Sequence, residues 1–290
     1  MRVKMIALDM DDTLLHEDLT ISRENIEAIG RAEAAGIKIV LASGRNLVSL
    51  SKYADLLGLT RPGDFLVCSN GAELVAADTR TIIDRRMLEP ALCREVAAEL
   101  ARHGAEWQIY VDGKILCTTL NEWALRDGFL TGQPVEEVGD AAAREGHFSR
   151  GLIKFVIPGD PARVQELLRE LAPVFAGRAE VLTSKPYFLE ILPLGADKGS
   201  ALARLAGMLG FDMADVMAVG DAMNDYTMIS RAGWGCAPAN AIPAIRDIAR
   251  VVSPLTNDEN AVADLIDRVA LAVYSSAPPA RTNASFSRSR

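Results

Sequence analysis

Short apolar runs recur along the chain, and each ends on polar residues. Val3–Leu8 stops at Asp9, Ile37–Ala42 at Ser43-Gly44, Phe65–Cys68 at Ser69-Asn70-Gly71, and Val216–Val219 at Gly220-Asp221. Runs of this length suit strands buried on both faces, as in a parallel sheet covered by helices. Helical patterns lie between them. Ile21–Ala35 has Ser22 as N-cap, Ile26 and Ile29 facing inward, and Gly36 as its stop; Leu47–Leu57 precedes Gly58; Ser200–Leu209 carries Leu202, Leu205 and Leu209 before Gly210. Strand and helix in alternation predict an α/β fold with a doubly wound parallel sheet. Ligands bind such sheets beyond the carboxyl ends of the strands. Those ends here carry Asp, Ser, Asn and Asp, so a polar site is expected at that edge.

The middle of the chain follows another pattern. Glu106–Val111 and Lys114–Thr119 alternate around Asp112-Gly113, which predicts a hairpin with a two-residue turn. Ile153–Ile157 reads as a further strand and Pro161–Phe175 as a helix with Pro in its first turn. Glu180–Thr183 and Tyr187–Leu192 bracket Ser184-Lys185-Pro186 as a second hairpin. The stretch 85–193 is therefore expected to be an α+β domain inserted into a core made of 1–84 plus 194–274. Asp140–Gly146 reads as a polar loop. The Ser-, Pro- and Arg-rich tail 275–290 has the composition of a disordered segment.

Composition narrows the function classes. At 290 residues, two domains are the prior. With 49% apolar and 24% charged residues, the chain is globular and wholesale disorder is excluded. Net charge is −8, and the three tail arginines leave a more acidic body, which argues against a nucleic-acid partner. A small phosphorylated substrate needs only a local positive site and stays open. Cys68, Cys93, Cys117 and Cys236 form no C-x-x-C pair and sit in or beside apolar stretches, as buried thiols of a reducing cytosol do. Three scattered histidines build no zinc motif. No run approaches a membrane span, and Asp9, Asp11 and Asp12 cut short any N-terminal signal. A cytoplasmic protein without a membrane partner, monomeric or weakly dimeric, is expected.

Two acidic clusters carry the chemistry. Asp9, Asp11 and Asp12 follow the first strand; crowded carboxylates need a cation or raised pKa values, and an all-oxygen set favours Mg²⁺. Taken alone, this cluster is as compatible with a solvated turn. Gly220-Asp221-Ala222-Met223-Asn224-Asp225 places a second cluster after a second buried strand, which makes a plain turn a poor account of Asp221, though it still suits Asn224 and Asp225. Ser43-Gly44-Arg45 opens a helix whose N–H groups form a phosphate seat. Lys198 precedes another helix and faces a phosphate as a point charge, or simply water. No G-x-G-x-x-G follows the first strand, no P-loop is present, and Ser43 lacks the setting of a serine hydrolase.

The ordered set D-x-D-x-T (Asp9 to Thr13), S-G-R (Ser43 to Arg45), D-K-G (Asp197 to Gly199) and G-D-x-x-N-D (Gly220 to Asp225) resembles the haloacid dehalogenase superfamily of phosphatases. Ser69-Asn70-Gly71-Ala72, the stretch from Leu189 to Gly199 and Asn257-Asp258-Glu259-Asn260 resemble its Cof-type branch, subclass IIB. The likeness spans about residues 1–270. It implies a Rossmannoid core with a C2-type cap, and a Mg²⁺-dependent phosphomonoesterase acting on a small phosphorylated metabolite through an aspartyl-phosphate. By the resemblance Asp9 is the nucleophile and Asp11 the general acid and then base. Asp9, the Asp11 carbonyl and Asp221 hold Mg²⁺, with Asp225 supporting the metal's waters or orienting Lys198. Lys198, Ser43, Gly44, Asn224 and the Met10 amide cradle the phosphoryl group. Arg45 and Asn70 are candidates for contact with substrate or cap, as are Trp107, Tyr110, Arg126, Lys154 and Tyr187, each of which suits packing equally well. The Asp12 side chain is expected to face out or cap the turn. Ala237-Pro238-Ala239-Asn240 and Ala261 depart from the family's pattern in loop shape only. The rivals are a sugar phosphomutase of the same superfamily, a phospho-acceptor domain, and a catalytically idle metabolite-binding protein.

Overall fold

The computed structural model describes residues 2–138 and 146–272. The tail 275–290 and most of the loop expected at Asp140–Gly146 lie outside the described residues. Five strands come first: β1 (Met5–Leu8), β2 (Lys38–Ala42), β3 (Phe65–Cys68), β4 (Glu73–Ala76) and β5 (Ile82–Arg85). The middle of the chain supplies β6 (Gln108–Val111), β7 (Lys114–Cys117), β8 (Val135–Glu137), β9 (Phe155–Pro158), β10 (Ala179–Lys185) and β11 (Phe188–Pro193). The chain then returns with β12 (Val216–Val219), β13 (Trp234–Ala237) and β14 (Val251–Val252). The helices used below are α1 (Arg23–Ala34), α2 (Leu47–Leu56), α3 (Pro90–Arg102), α4 (Glu122–Thr131), α5 (Pro161–Phe175) and α6 (Lys198–Leu209).

One sheet runs β14-β13-β12-β1-β2-β3-β4-β5, parallel from β14 to β3. The expected parallel sheet is thus present, with an antiparallel pair added at one edge. β4 and β5 are antiparallel, because only Ser69–Gly71 and Ala72 separate β3 from β4, too few residues for a crossover. Alternation along β1 divides the core. Ile6 and Leu8 join one apolar cluster with Ala28, Ile29 and Ala32 of α1; Met5 and Ala7 join the opposite one with Leu202 and Leu205 of α6. Burial on both faces is why these runs read as apolar throughout. Ser22 caps α1 by accepting from the Asn25 amide, and Asp197 caps α6 from Ser200. β1 lies between β2 and β12, where the order of connection reverses, so the carboxyl ends of these strands open the crevice that such sheets use for ligands.

The second sheet runs β10-β11-β9-β6-β7-β8. Asp112 and Gly113 both take positive φ (49° and 78°), as the predicted tight turn requires. The β10–β11 turn is shifted from its expected place. β10 runs through Lys185, which pairs with Phe188 across a bulge, so the turn is Pro186-Tyr187 rather than Ser184–Pro186. One face of this sheet packs Ile109, Phe155, Leu189 and Ile191 against α3 and α5. The other face carries Gln108, Tyr110 and Glu190, alternate with those apolar positions. Among the described residues, no helix is long and apolar enough to cross a membrane.

Gly71 ties the edge of the large sheet to the start of α6. It has φ +95°, and a Cβ there would lie 2.4 Å from the Asp197 carbonyl oxygen. Gly71→Ala is expected to lower stability by about 2 kcal/mol or more. Gly104→Ala, also at positive φ but with open space around it, should cost less. Urea midpoints of the two variants check the ordering.

Candidate active site

Asp9 leaves β1 directly, its amide bonded to the Val219 carbonyl of β12 at 2.9 Å. That pairing brings it level with the Gly220-Asp221 turn. Lys198, the first residue of α6, reaches between the clusters: its Nζ donates to Asp9 Oδ1 at 2.5 Å and to Asp225 Oδ1 at 2.6 Å. Its side chain has no exposed surface. Asp225 Oδ2 accepts from the Asp221 and Ala222 amides. Gly220 makes that possible, because a Cβ there would sit 2.6 Å from Asp225 Oδ2. Thr13 donates to Asp221 Oδ1. Carboxylate oxygens of Asp9, Asp221 and Asp225 all lie within 4.8 Å of one another.

One lysine does not balance this cluster. Burial, then the charge of Asp225, push Asp9 up to about 7 against the pull of Lys198. Asp221 is also raised well above the ordinary carboxylate range, by burial and then by Asp9 and Asp225. Both retain an oxygen that takes no hydrogen bond from the described residues, whereas both oxygens of Asp225 are bonded. Buried, repelling, oxygen-only ligands fit a hard divalent cation.

Asp11 has the opposite setting. Burial pushes its pKa up, but the Arg45 guanidinium, forked on it at 2.9 and 2.7 Å, outweighs this and holds it below the usual range. Arg45 Nη1 donates to Ser49 Oγ at 3.1 Å and to the Leu130 carbonyl at the end of α4 at 2.8 Å. Arg45 thus touches the middle stretch of the chain rather than standing free. The Asp12 side chain faces out, as expected, and also pairs with Lys185 at 2.6 Å.

A cavity of about 400 Å³ lies between the two sheets; Asp9, Asp11, Gly44, Arg45, Asp221 and Asn224 line one side. Met10, Ser43, Asn70, Lys198 and Asp225 are buried beneath that wall. Ser43 Oγ accepts from the Arg45 amide. Asn70, in the left-handed region at φ 53°, accepts from Asn224 and donates to Glu190.

The opposite wall holds the candidate Lys154 together with two carboxylates that the sequence did not single out, Glu190 and Asp127. Glu190 accepts from Asn70, Lys154 and Ser184 at 2.9, 3.0 and 2.6 Å, and Lys154 also donates to the Gly44 carbonyl at 3.1 Å. A carboxylate in the apolar run Phe188–Leu192 was the available signal, since a charge in a buried strand needs a partner. Asp127 on α4 accepts from Gln108 and Tyr110, and burial brings its carboxyl up to about 6 against those bonds and Lys154. Nothing in its helical context marks it. Of the aromatic candidates, Trp107 packs on Phe148 and Phe155, and Tyr187 stacks on Trp123 beneath Arg126.

The sequence matches the haloacid dehalogenase-like hydrolase family over residues 6–266. Two Bacillus subtilis (strain 168) proteins are similar over nearly their whole length, and both are named 5-amino-6-(5-phospho-D-ribitylamino)uracil phosphatase. YcsE is 33% identical, covering 91% of this chain and 94% of its own. YwtE is 28% identical, covering 94% and 100%. The crystal structure of a haloacid dehalogenase-like hydrolase from Bacteroides thetaiotaomicron superposes with a TM-score of 0.81 at 30% identity, covering 92% of this chain and 100% of that one.

The carboxylate cluster generates a pH-dependent expectation. With its folded pKa near 7, above the unfolded value, Asp9 keeps a proton in the folded chain that the unfolded chain has released. In the absence of metal, stability should therefore fall as pH rises from about 4 to 7. Mg²⁺ competes with that proton. It should stabilise strongly at pH 7.5, by about 2.7 kcal/mol at a hundred times Kd, and much less at pH 5. Melting temperatures with MgCl₂ and with EDTA test this, and Asp221→Asn should abolish the Mg²⁺ increment.

Proposed function

Because the chain belongs to the haloacid dehalogenase-like hydrolase family and is a phosphatase, we propose that it hydrolyses the monophosphate ester of a small metabolite, with Mg²⁺ and through an aspartyl-phosphate. The observation that carries this is the meeting of Asp9, Asp11 and Asp221 in one cavity, with the Lys198 ammonium 2.5 Å from Asp9. Residues 85–193 serve as the cap over the core of 1–84 plus 194–274. The four described cysteines, all unpaired and buried, support a reducing cytosol as its compartment.

In this reading the unbonded Asp9 oxygen attacks phosphorus. The ester P–O bond breaks, and the leaving oxygen takes a proton from Asp11. Water, deprotonated by Asp11, then attacks the aspartyl-phosphate, which releases inorganic phosphate and restores Asp9. Asp9, Asp221 and the Asp11 main chain would hold Mg²⁺, which supplies positive charge where two anions must meet. Lys198, enclosed behind Asp9, offsets negative charge through that contact and is itself held by Asp225. Gly44, Asn224 and the Met10 amide, backed by Ser43, seat the phosphoryl oxygens. The fork with Arg45 keeps Asp11 ionised, the state its base role needs. Its acid role requires Arg45 to release one arm, and Leu130 and Ser49 already provide that guanidinium with other partners.

The relatives' named substrate, a phosphorylated ribityl compound, is a guide to the size of molecule that such a cavity takes. Hydrolysis of p-nitrophenyl phosphate with Mg²⁺ and with EDTA, on the native chain and Asp9→Asn, tests the chemistry. Activity should require the metal, and Asp9→Asn should lose about a thousandfold or more in kcat while melting cooperatively. Full activity in Asp9→Asn would remove it as nucleophile. Release of inorganic phosphate, with no isomerised sugar phosphate, separates hydrolysis from mutase activity.

A further inference from the structure

The cavity wall opposite Asp9 carries a buried carboxylate that the phosphatase chemistry does not use. Asp127 is 5% exposed, and what it exposes faces the cavity. Both hydrogen bonds that it accepts, from Gln108 Nε2 and the Tyr110 hydroxyl, fall on Oδ2. Oδ1 takes none from the described residues. Gln108 and Tyr110 stand two apart on β6 and so share the face turned away from the apolar core. Gln108 Oε1 is buried without a partner. Both donors are thus committed to Oδ2, and Oδ1 is left to the cavity that Asp127 lines.

Position links Asp127 to the leaving group. Arg45 joins Asp11 to the Leu130 carbonyl, and Asp127 lies three residues before Leu130, on the same side of α4. Since Asp11 serves the leaving oxygen, this end of α4 hangs over the leaving group rather than over the phosphoryl seat. Lys154 Nζ, bonded to Gly44 and Glu190, has one N–H beyond those two bonds, and the Thr183 hydroxyl lines the same wall. An acceptor beside a donor suits a hydroxyl, which is both. A cationic leaving group would instead meet Lys154 and Lys185.

Resting on the phosphatase reading, we infer that Asp127 is a specificity-determining residue: its Oδ1 accepts a hydrogen bond from a hydroxyl of the leaving group. The enzyme therefore selects phosphate esters of polyhydroxylated carbon chains over those of apolar alcohols. A site built to accept such a bond rejects the analogue that lacks it, because the buried carboxylate is then desolvated without a partner.

The test compares ribitol 5-phosphate with pentyl phosphate, equal in chain length and different in hydroxyls. Phosphate release with Mg²⁺ is measured on the native chain, Asp127→Ala and Asp127→Asn. The native enzyme should favour the ribitol ester in kcat/KM by tenfold or more. In Asp127→Ala that ratio should fall by about tenfold whatever the absolute rates, and Asp127→Asn, which keeps an acceptor, should recover part of it. Damage to the fold lowers both esters together and leaves the ratio unmoved, so an unchanged ratio overturns the inference, as does a native enzyme with no preference. Hydrolysis of p-nitrophenyl phosphate but of neither alkyl ester overturns this selection alone. Hydrolysis of none of the three overturns the phosphatase reading beneath it.

Discussion

Three carboxylates crowd together at the carboxyl edge of a parallel sheet with one buried lysine, which reaches two of them, and the surroundings are arranged to make that tolerable. Removing a charge from water costs several kcal/mol unless partners replace the hydration. Lys198 bridges Asp9 and Asp225, two main-chain amides take the second oxygen of Asp225, and Thr13 takes one of Asp221. What remains is negative charge that is buried and short of positive partners: burial first, and then the neighbouring carboxylates, raise the pKa values of Asp9 and Asp221. A site left short of positive charge is prepared for a cation and repels an anion until one is bound. Gly220, the cap of α6 by Asp197 and the pairing of β1 with β12 all serve to hold this cluster in place.

The second sheet meets the first through buried polar groups and through a small apolar cluster of Ala72, Ala196 and Leu192. Glu190, Lys154, Asn70 and the Gly44 carbonyl form one connected set, and Arg45 links Asp11 to the end of α4. These contacts attach the roof of the cavity to the residues that flank the phosphoryl seat. A shift of the roof therefore moves partners of Asp11 and Gly44, which couples access to the cavity with the geometry of the acid and the seat.

Legibility in the sequence followed locality. The helix at Pro161–Phe175 and the turn at Asp112-Gly113 were readable because proline, glycine and periodicity act within a few residues. The antiparallel edge formed by β4 and β5 was not, because direction of pairing depends on a short connection that reads like any strand-to-helix turn. The turn after β10 was displaced by a bulge at Ser184, a property of the pairing with β11 rather than of either strand. Asp9, Asp11 and Asp221 stood out because two acidic clusters follow two buried strands, and Lys198 through the place of its D-K-G motif in the ordered set. Asp127 did not, since an aspartate on an exposed-looking helix is ordinary.

By itself, then, the sequence determined the alternation of buried strands and helices, the acidic strand ends and the family likeness. Each of these rests on residues near one another in the chain or on motifs in a given order. Tertiary structure decided which charges became partners: Lys198 enclosed behind Asp9, Arg45 forked on Asp11, Lys154 on Glu190, and Asp127 with one oxygen left to the cavity. The reason is physical. Ion pairing and desolvation depend on distance and burial, and these are set by how β1, β12, α4 and α6 pack across the fold, at separations that no local pattern encodes.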